Sequence, residues 1–447
     1  MKKNILALVV LSSLLVSCNG GSGDSNNISS NSLDNHVPAN PVSSNTVSSS
    51  GINYLYIVSN MESGTKCESD GTMGLVSQYA VQADGSISNL FKSVSFKCPI
   101  QSAYLSHASN AGESVLHVLL GGDALEIDDL PIENNIINLD HITSHKITLP
   151  QIAANPAAIQ TPLYMTYRDF GKTRLLYLTG SSTFAYASEW LGVYPSNQES
   201  LSAIQSSILY LFGSDMEYQP FQFDPNKNFG YLTGYTGSEF GGGVVQKYII
   251  NSESGLIDSH AGEPRTDYAI LDSVYRTLPN ESISSYRYSL TKSSNDDDNN
   301  NIEITQENSA STRVLGIETI YQKYSYPHTL TIHGNHFYFA TGRLSENVSN
   351  ILLMPLESNN PYFVNSPQYD FGVITNFEVE KFLFLPDIPA TESTPAEDHM
   401  IVLQNNKYGN LLMQTVRVKQ DKNGQFSHSI EFGMLESVGN VVDGFTN

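Results

Sequence analysis

"QPFQFDPNKNFGYLTGYTG", residues Gln219–Gly237, reads as two short alternating runs on either side of a polar turn. Phe221 and Phe223 flank Gln222, the stretch Asp224-Pro225-Asn226-Lys227-Asn228 breaks the pattern, and Phe229, Tyr231, Thr233 and Tyr235 then share one side. Alternation of this kind marks a half-buried strand, and a Pro/Asp/Asn turn between two such runs marks a hairpin. The second run has echoes: YIVSN from Tyr56, HVLLG from His117, YLTGS from Tyr177, YLTGY from Tyr231, YFATG from Tyr338 and IVLQN from Ile401. Successive spacings are 61, 60, 54, 107 and 63 residues, and the 107 places a degenerate copy near residues 265–315.

Each echo is followed by a second hairpin element, as in GLVSQYAVQADGSI, GGVVQKYIINSESGLI and GNLLMQTVRVKQDKNGQF. SISSYRYSLTKSSNDDDNNNIEI fits the degenerate copy, its turn swollen by a polar insert. A third element precedes several copies: PLYMTYRDFG, QPFQFDPNKN and PHTLTIHGN. The unit is therefore four strands, and strand repeats near 50–60 residues predict propeller blades. The chain is expected to be all-β, a seven-bladed β-propeller of four-stranded antiparallel blades; six blades with one irregular insertion is the alternative. The tail ESVGNVVDGFTN is expected to supply the innermost strand missing from the first blade, closing the ring and removing an exposed sheet edge.

The N-terminus carries a different message. Lys2 and Lys3 precede an apolar run, Ile5 to Val16, that is short for a bilayer span. The run ends Leu15-Val16-Ser17-Cys18, which resembles the lipobox of bacterial lipoproteins. That resemblance implies a signal peptide over 1–17, acylation of Cys18 and, with Asn19 rather than aspartate following, the outer membrane. Residues 18–50 then form a lipidated N-terminus and a Ser/Asn/Gly-rich tether, too poor in apolar residues to order itself, with a reach of roughly 30 Å. The folded body is 51–447, periplasmic or surface-exposed.

Composition narrows the partners. The formal charge is −22, from 23 basic and 45 acidic residues, with no Lys/Arg cluster, so nucleic acid is excluded as a partner. With Cys18 lipidated, Cys67 and Cys98 remain in an oxidising compartment, and a disulfide between them is expected. Cys67 falls in the loop after the second strand of the first blade and Cys98 just past its fourth, on one face.

The run PFQFDPNKNFGYLTGYTG…VVQKYIINSESGLID resembles the lactonase-type seven-bladed propellers, which include bacterial 6-phosphogluconolactonases. Asp224-Pro225 matches that family's turn, Tyr231 its strand aromatic and Tyr248 to Ile257 its hairpin. The resemblance implies the fold and raises lactone hydrolysis as an activity. The chain departs from the family at its chemistry: Gln219, Phe221 and Gln222 stand where histidines precede the turn, and Thr341-Gly342-Arg343-Leu344 keeps only the arginine of a late motif. Pro327-His328-Thr329-Leu330 holds no carboxylate where the family places its acid.

Lactone hydrolysis needs a base for water and a donor for the oxyanion. His328 and Arg343 are the candidate catalytic pair, the alternative being an interblade hydrogen bond and a loop ion pair. Gln219, Glu239 and Glu378 are candidate binding residues at the same mouth. Asn295 to Asn300 lacks the glycine and glutamate of an EF-hand, and no H-E-x-x-H or G-x-S-x-G occurs, so neither a metal nor a cofactor is expected. The leading reading is an envelope lipoprotein whose propeller binds a protein or small-molecule ligand on its loop face, or acts as a scaffold. The alternative is a lactonase-like hydrolase of a lactone or sugar-derived ligand.

Overall fold

The computed structural model describes residues 36–38 and most of 53–446, leaving out short segments such as 151–159, 294–299 and 388–396. Met1–Asp34 separates as a unit of its own and lies outside the described residues; the folded unit is Asn35–Asn447. Among the described residues no helix is long and apolar enough to cross a membrane.

Seven antiparallel blades succeed one another along the chain. Their innermost strands are Ile100–His107, Gln160–Phe170, the interrupted pair Met216–Tyr218 and Gln222–Phe223, Tyr268–Arg276, Tyr326–His333, Glu378–Phe384 and Asn440–Thr446. The last belongs to blade 1: it pairs with Asn53–Asn60, so the C-terminal tail supplies the strand that the first blade lacked and closes the ring. Each echo of the opening stretch lies on a second strand, and the degenerate copy is Ser285–Ser293, inside the window its spacing assigns. His36–Pro38, within the stretch read as tether, pairs with Lys92–Phe96 at the outer edge of blade 1.

The core is a set of wedges, one at each joint between blades. Tyr56 and Val58 meet Leu116 and Val118 between blades 1 and 2, and Leu55 and Ile57 meet Ile401 and Leu403 where blade 7 meets blade 1. The recurring tyrosine explains why the echo persists. Tyr56, Tyr177 and Tyr288 are fully buried on second strands of blades 1, 3 and 5, and each hydroxyl donates to a carbonyl in the outer turn of the next blade: Asn135, Gly255 and Pro361 respectively. The ring fills the wedge while the hydroxyl satisfies a turn carbonyl, so one side chain fastens two blades.

Cys67, in the loop after Asn53–Asn60, is disulfide-bonded to Cys98, just past Lys92–Phe96, with a Cα separation of 4.1 Å. The bond ties two loops on one face of blade 1.

Candidate functional site

The innermost strands share an irregularity that hydrophobic alternation does not reveal. Each carries one residue more than the strand beside it. The extra residue is Gln101 in blade 2, Leu163 in blade 3, Leu271 in blade 5, His328 in blade 6, Glu380 in blade 7 and Val442 in blade 1. In blade 4 the inner strand is interrupted between Tyr218, which pairs with Gly234, and Gln222, which pairs with Tyr231. A bulge of this kind bends the strand and re-aims its side chains. Repeated around the ring, it shapes the channel wall at one level.

The channel holds a cavity of about 530 Å³ lined by the inner strands of blades 1, 2, 3, 4, 5 and 7. Its wall is mixed. Tyr104, Phe223, Tyr275 and Phe445 offer flat apolar faces, and Arg168, Lys381 and Asp443 bring charge. Lys381 is neutralised, because its ammonium donates to Asp443 and lies 4.7 Å over the Phe445 ring. Arg168 is not. Among the described residues no carboxylate lies within ion-pair distance of it. It makes one long hydrogen bond, 3.4 Å, to the Asp224 carbonyl, stands 5.5 Å over the Phe223 ring, and keeps a buried Nε with no acceptor. A guanidinium cannot shed its charge and presents a planar fork that fits a carboxylate.

Carboxylates elsewhere on the inner strands are held or crowded. Asp272 Oδ2 accepts from the Leu330 amide at 3.0 Å and Oδ1 from the Ser273 amide at 2.7 Å, yet burial raises its pKa to about 7. Glu378 begins the inner strand of blade 7 and keeps a buried Oε1 without a partner. Glu380, two residues on, is reached by solvent but crowded by the surrounding strands; that crowding, and then Glu378, raise it to about 7.

The backbone register places His328 at the ring level of Gln101 and Val442, both on the cavity wall, and Arg343 at the same end of blade 6. Their side chains lie outside the described residues, as do Cys18, Gln219, Glu239 and Asn295–Asp298. Phe221, one of the positions where the chain departs from the family's histidines, is fully buried and stacked on Tyr177 with ring centroids 5.6 Å apart. Arg168 was missed. Its signal was parity: Tyr164, Thr166 and Arg168 alternate along one inner strand, and all three line the cavity.

A second constellation has the connectivity of a hydrolase triad. Ser106 Oγ lies 2.8 Å from His117 Nε2, and His117 Nδ1 lies 2.6 Å from Asp129 Oδ1. His145 Nε2 approaches the other Asp129 oxygen at 3.3 Å. Ser106 and His117 are each only 5% exposed, and the His117 ring stacks on Tyr167 of blade 3 at 4.0 Å. A nucleophile sealed in a blade joint reaches no substrate, so these residues brace blades 2 and 3.

The brace has a pH signature. Burial pushes the Asp129 carboxyl up, but hydrogen bonds from His117 and His145 more than offset this and hold it at about 2. A pKa depressed below the unfolded 3.8 contributes stability that is complete above pH 4 and lost as pH falls toward 2. The loss is about 2 kcal/mol. Chemical denaturation of the wild type and of Asp129→Asn at pH 5 and pH 2.5 measures it. The variant is expected to lose less stability across that interval, and identical losses would remove Asp129 as the cause.

No protein-family profile matches the chain, and no curated protein does. Solved structures do. A candidate 6-phosphogluconolactonase from Bacteroides uniformis superposes with a TM-score of 0.53 at 11% identity, covering 89% of this chain and 99% of that one. A protein from Lactobacillus plantarum aligns with a TM-score of 0.48 at 11% identity over 88% of this chain and 98% of its own. The shared property is the propeller. At such identity the likeness extends to the fold alone.

Proposed function

We propose that the chain is a binding propeller of the cell envelope, and that its channel takes a small molecule with a carboxylate head and a flat ring. The observation that supports this reading is Arg168, a cation without a described counter-ion on the wall of a 530 Å³ cavity that also presents Tyr104, Phe223 and Tyr275. A carboxylate there would pair with a charge that has no counter-ion among the described residues, and the rings give its body an apolar surface. Calorimetric titration with benzoate and with benzamide tests it. Benzoate is expected to bind and the neutral isostere not; equal affinity, or no binding of either, would reject the reading.

Hydrolysis of a lactone through His328 and Arg343 is the competing proposal. It rests on the description of the Bacteroides protein, whereas no histidine lines the cavity among the described residues. Acid release from glucono-δ-lactone above the spontaneous rate, abolished in His328→Gln, would favour it.

The envelope address rests on Cys18 and its flanking sequence. Cells expressing the full chain are expected to incorporate labelled palmitate, and Cys18→Ala to incorporate none. Persistent label in that variant would sink the lipid anchor.

A further inference from the structure

We propose a Zn²⁺ site at the joint of blades 6 and 7, built from His333, His336, Asp387 and Asp398. It is separate from the channel ligand and stands or falls independently of it.

The sequence His333-Gly334-Asn335-His336 is a two-residue hairpin turn between the first two strands of blade 6. Gly334 has φ 56°, a conformation that costs glycine little and lets the strands reverse at once. The turn makes His333 and His336 direct cross-strand partners, so two imidazoles leave the blade side by side. The adjoining blade supplies the oxygen donors: Asp387 follows its inner strand Glu378–Phe384, and Asp398 lies at the start of Glu397–Asn405. The arrangement is two nitrogen donors on one blade facing two carboxylates on the next, which is a zinc ligand set rather than an acidic patch.

Distances agree with this chemistry. His333 Nε2 lies 2.7 Å from Asp387 Oδ1, and His336 Nδ1 lies 2.5 Å from Asp398 Oδ2. One donor atom each from His333, Asp387 and Asp398 all fall within 4.8 Å of one another. Donors about 2.0–2.2 Å from one zinc ion stand roughly 3–4 Å apart, so small side-chain rotations complete the set. On binding, the proton between each ligating ring nitrogen and its aspartate is released to solvent while the other ring nitrogen stays protonated, and the lone pair thus freed turns to the metal. Outer contacts already fix the ligands: the Tyr338 hydroxyl donates to Asp398 Oδ2 at 2.5 Å, and the His333 ring stacks on Phe384 with centroids 4.0 Å apart and planes 6° apart. The four side chains are 12–47% exposed, open enough for an ion to enter from solution. A bound ion joins two blades that otherwise meet through the wedge around Tyr338 and Met400.

The test is titration of the full-length chain with Zn²⁺ alone at pH 7.5, followed by native mass spectrometry and calorimetry. One ion per chain is expected, with a Tm rise of about 3 °C at a hundredfold excess over Kd. X-ray absorption at the zinc edge is expected to report a first shell of nitrogen and oxygen near 2.0–2.1 Å with imidazole scattering. His333→Gln is expected to weaken binding at least tenfold and His333→Gln/His336→Gln a hundredfold, with affinities compared at a temperature where circular dichroism shows every variant folded. His141→Gln, an exposed histidine in blade 2, is expected to bind as the wild type does. Absence of a saturable site, or unchanged affinity in the double variant, or equal loss in His141→Gln, would overturn the proposal.

Discussion

Gly439→Ala is expected to cost on the order of 3 kcal/mol of stability. The reason is ring closure. Gly439 is the turn between the outermost strand of blade 7, Phe426–Ser437, and the tail strand that completes blade 1. Its φ is 78°, and a Cβ there would lie 2.0 Å from the Asn60 carbonyl oxygen and 2.8 Å from the Met61 Cα. The three nearest atoms are all backbone of Asn60 and Met61, which cannot swing aside as a side chain would. Gly439 also donates to the Gly409 carbonyl at 2.9 Å, fastening the turn to the hairpin of its own blade. Gly433→Ala is the matched control: the nearest atom to its Cβ would be 4.0 Å away, and its φ is not positive, so its effect should stay within about 0.5 kcal/mol. Denaturant midpoints measure both. Equal midpoints for the two variants would mean that the tail strand does not hold the ring together.

Arg168→Ala is expected to weaken carboxylate binding 10- to 100-fold, the equivalent of about 1.5–3 kcal/mol for hydrogen bonds to a charged group. Its stability should change little, because Arg168 makes one long hydrogen bond and leaves Nε unmatched. A ligand-binding cation and a structural one differ in this respect. Arg287 makes the comparison: it is 1% exposed, its guanidinium carbon lies 4.3 Å from the Tyr231 ring centroid, and its loss should destabilise the blade 4–5 joint. Arg168→Lys should recover part of the affinity, since it keeps the charge and loses the planar fork. If Arg168→Ala binds benzoate as the wild type does while losing several kcal/mol of stability, the residue is structural and the channel reading is wrong.

The blade repeat was legible because wedge packing demands the same side chain at the same place. Tyr56, Tyr177, Tyr231 and Tyr338 recur on second strands since each fills a joint, and that demand survives drift elsewhere. The closing strand was legible for a related reason: the first blade lacked its innermost strand, and the open edge would have to be covered. The functional wall was much less legible. The channel is assembled from short pieces of strands 50–60 positions apart, so the alternation of Tyr164, Thr166 and Arg168 marks one wall without showing what faces it. The bulges add a further obstacle, for one extra residue near the start of the inner strands reverses inward and outward parity there. The histidine turn at His333–His336 was read only as the end of a strand. Its partners, Asp387 and Asp398, come from the next blade, and no local spacing predicts them.

The most direct test of the channel assignment is a crystal structure of the protein soaked with 4-bromobenzoate, with anomalous data collected at the bromine edge. The account predicts one bromine peak inside the cavity, the carboxylate on the Arg168 guanidinium and the ring between Tyr104, Phe223 and Tyr275. Arg168→Ala crystals under the same soak should lose it. A cavity without a bromine peak, or a peak that persists in that variant, would contradict the account.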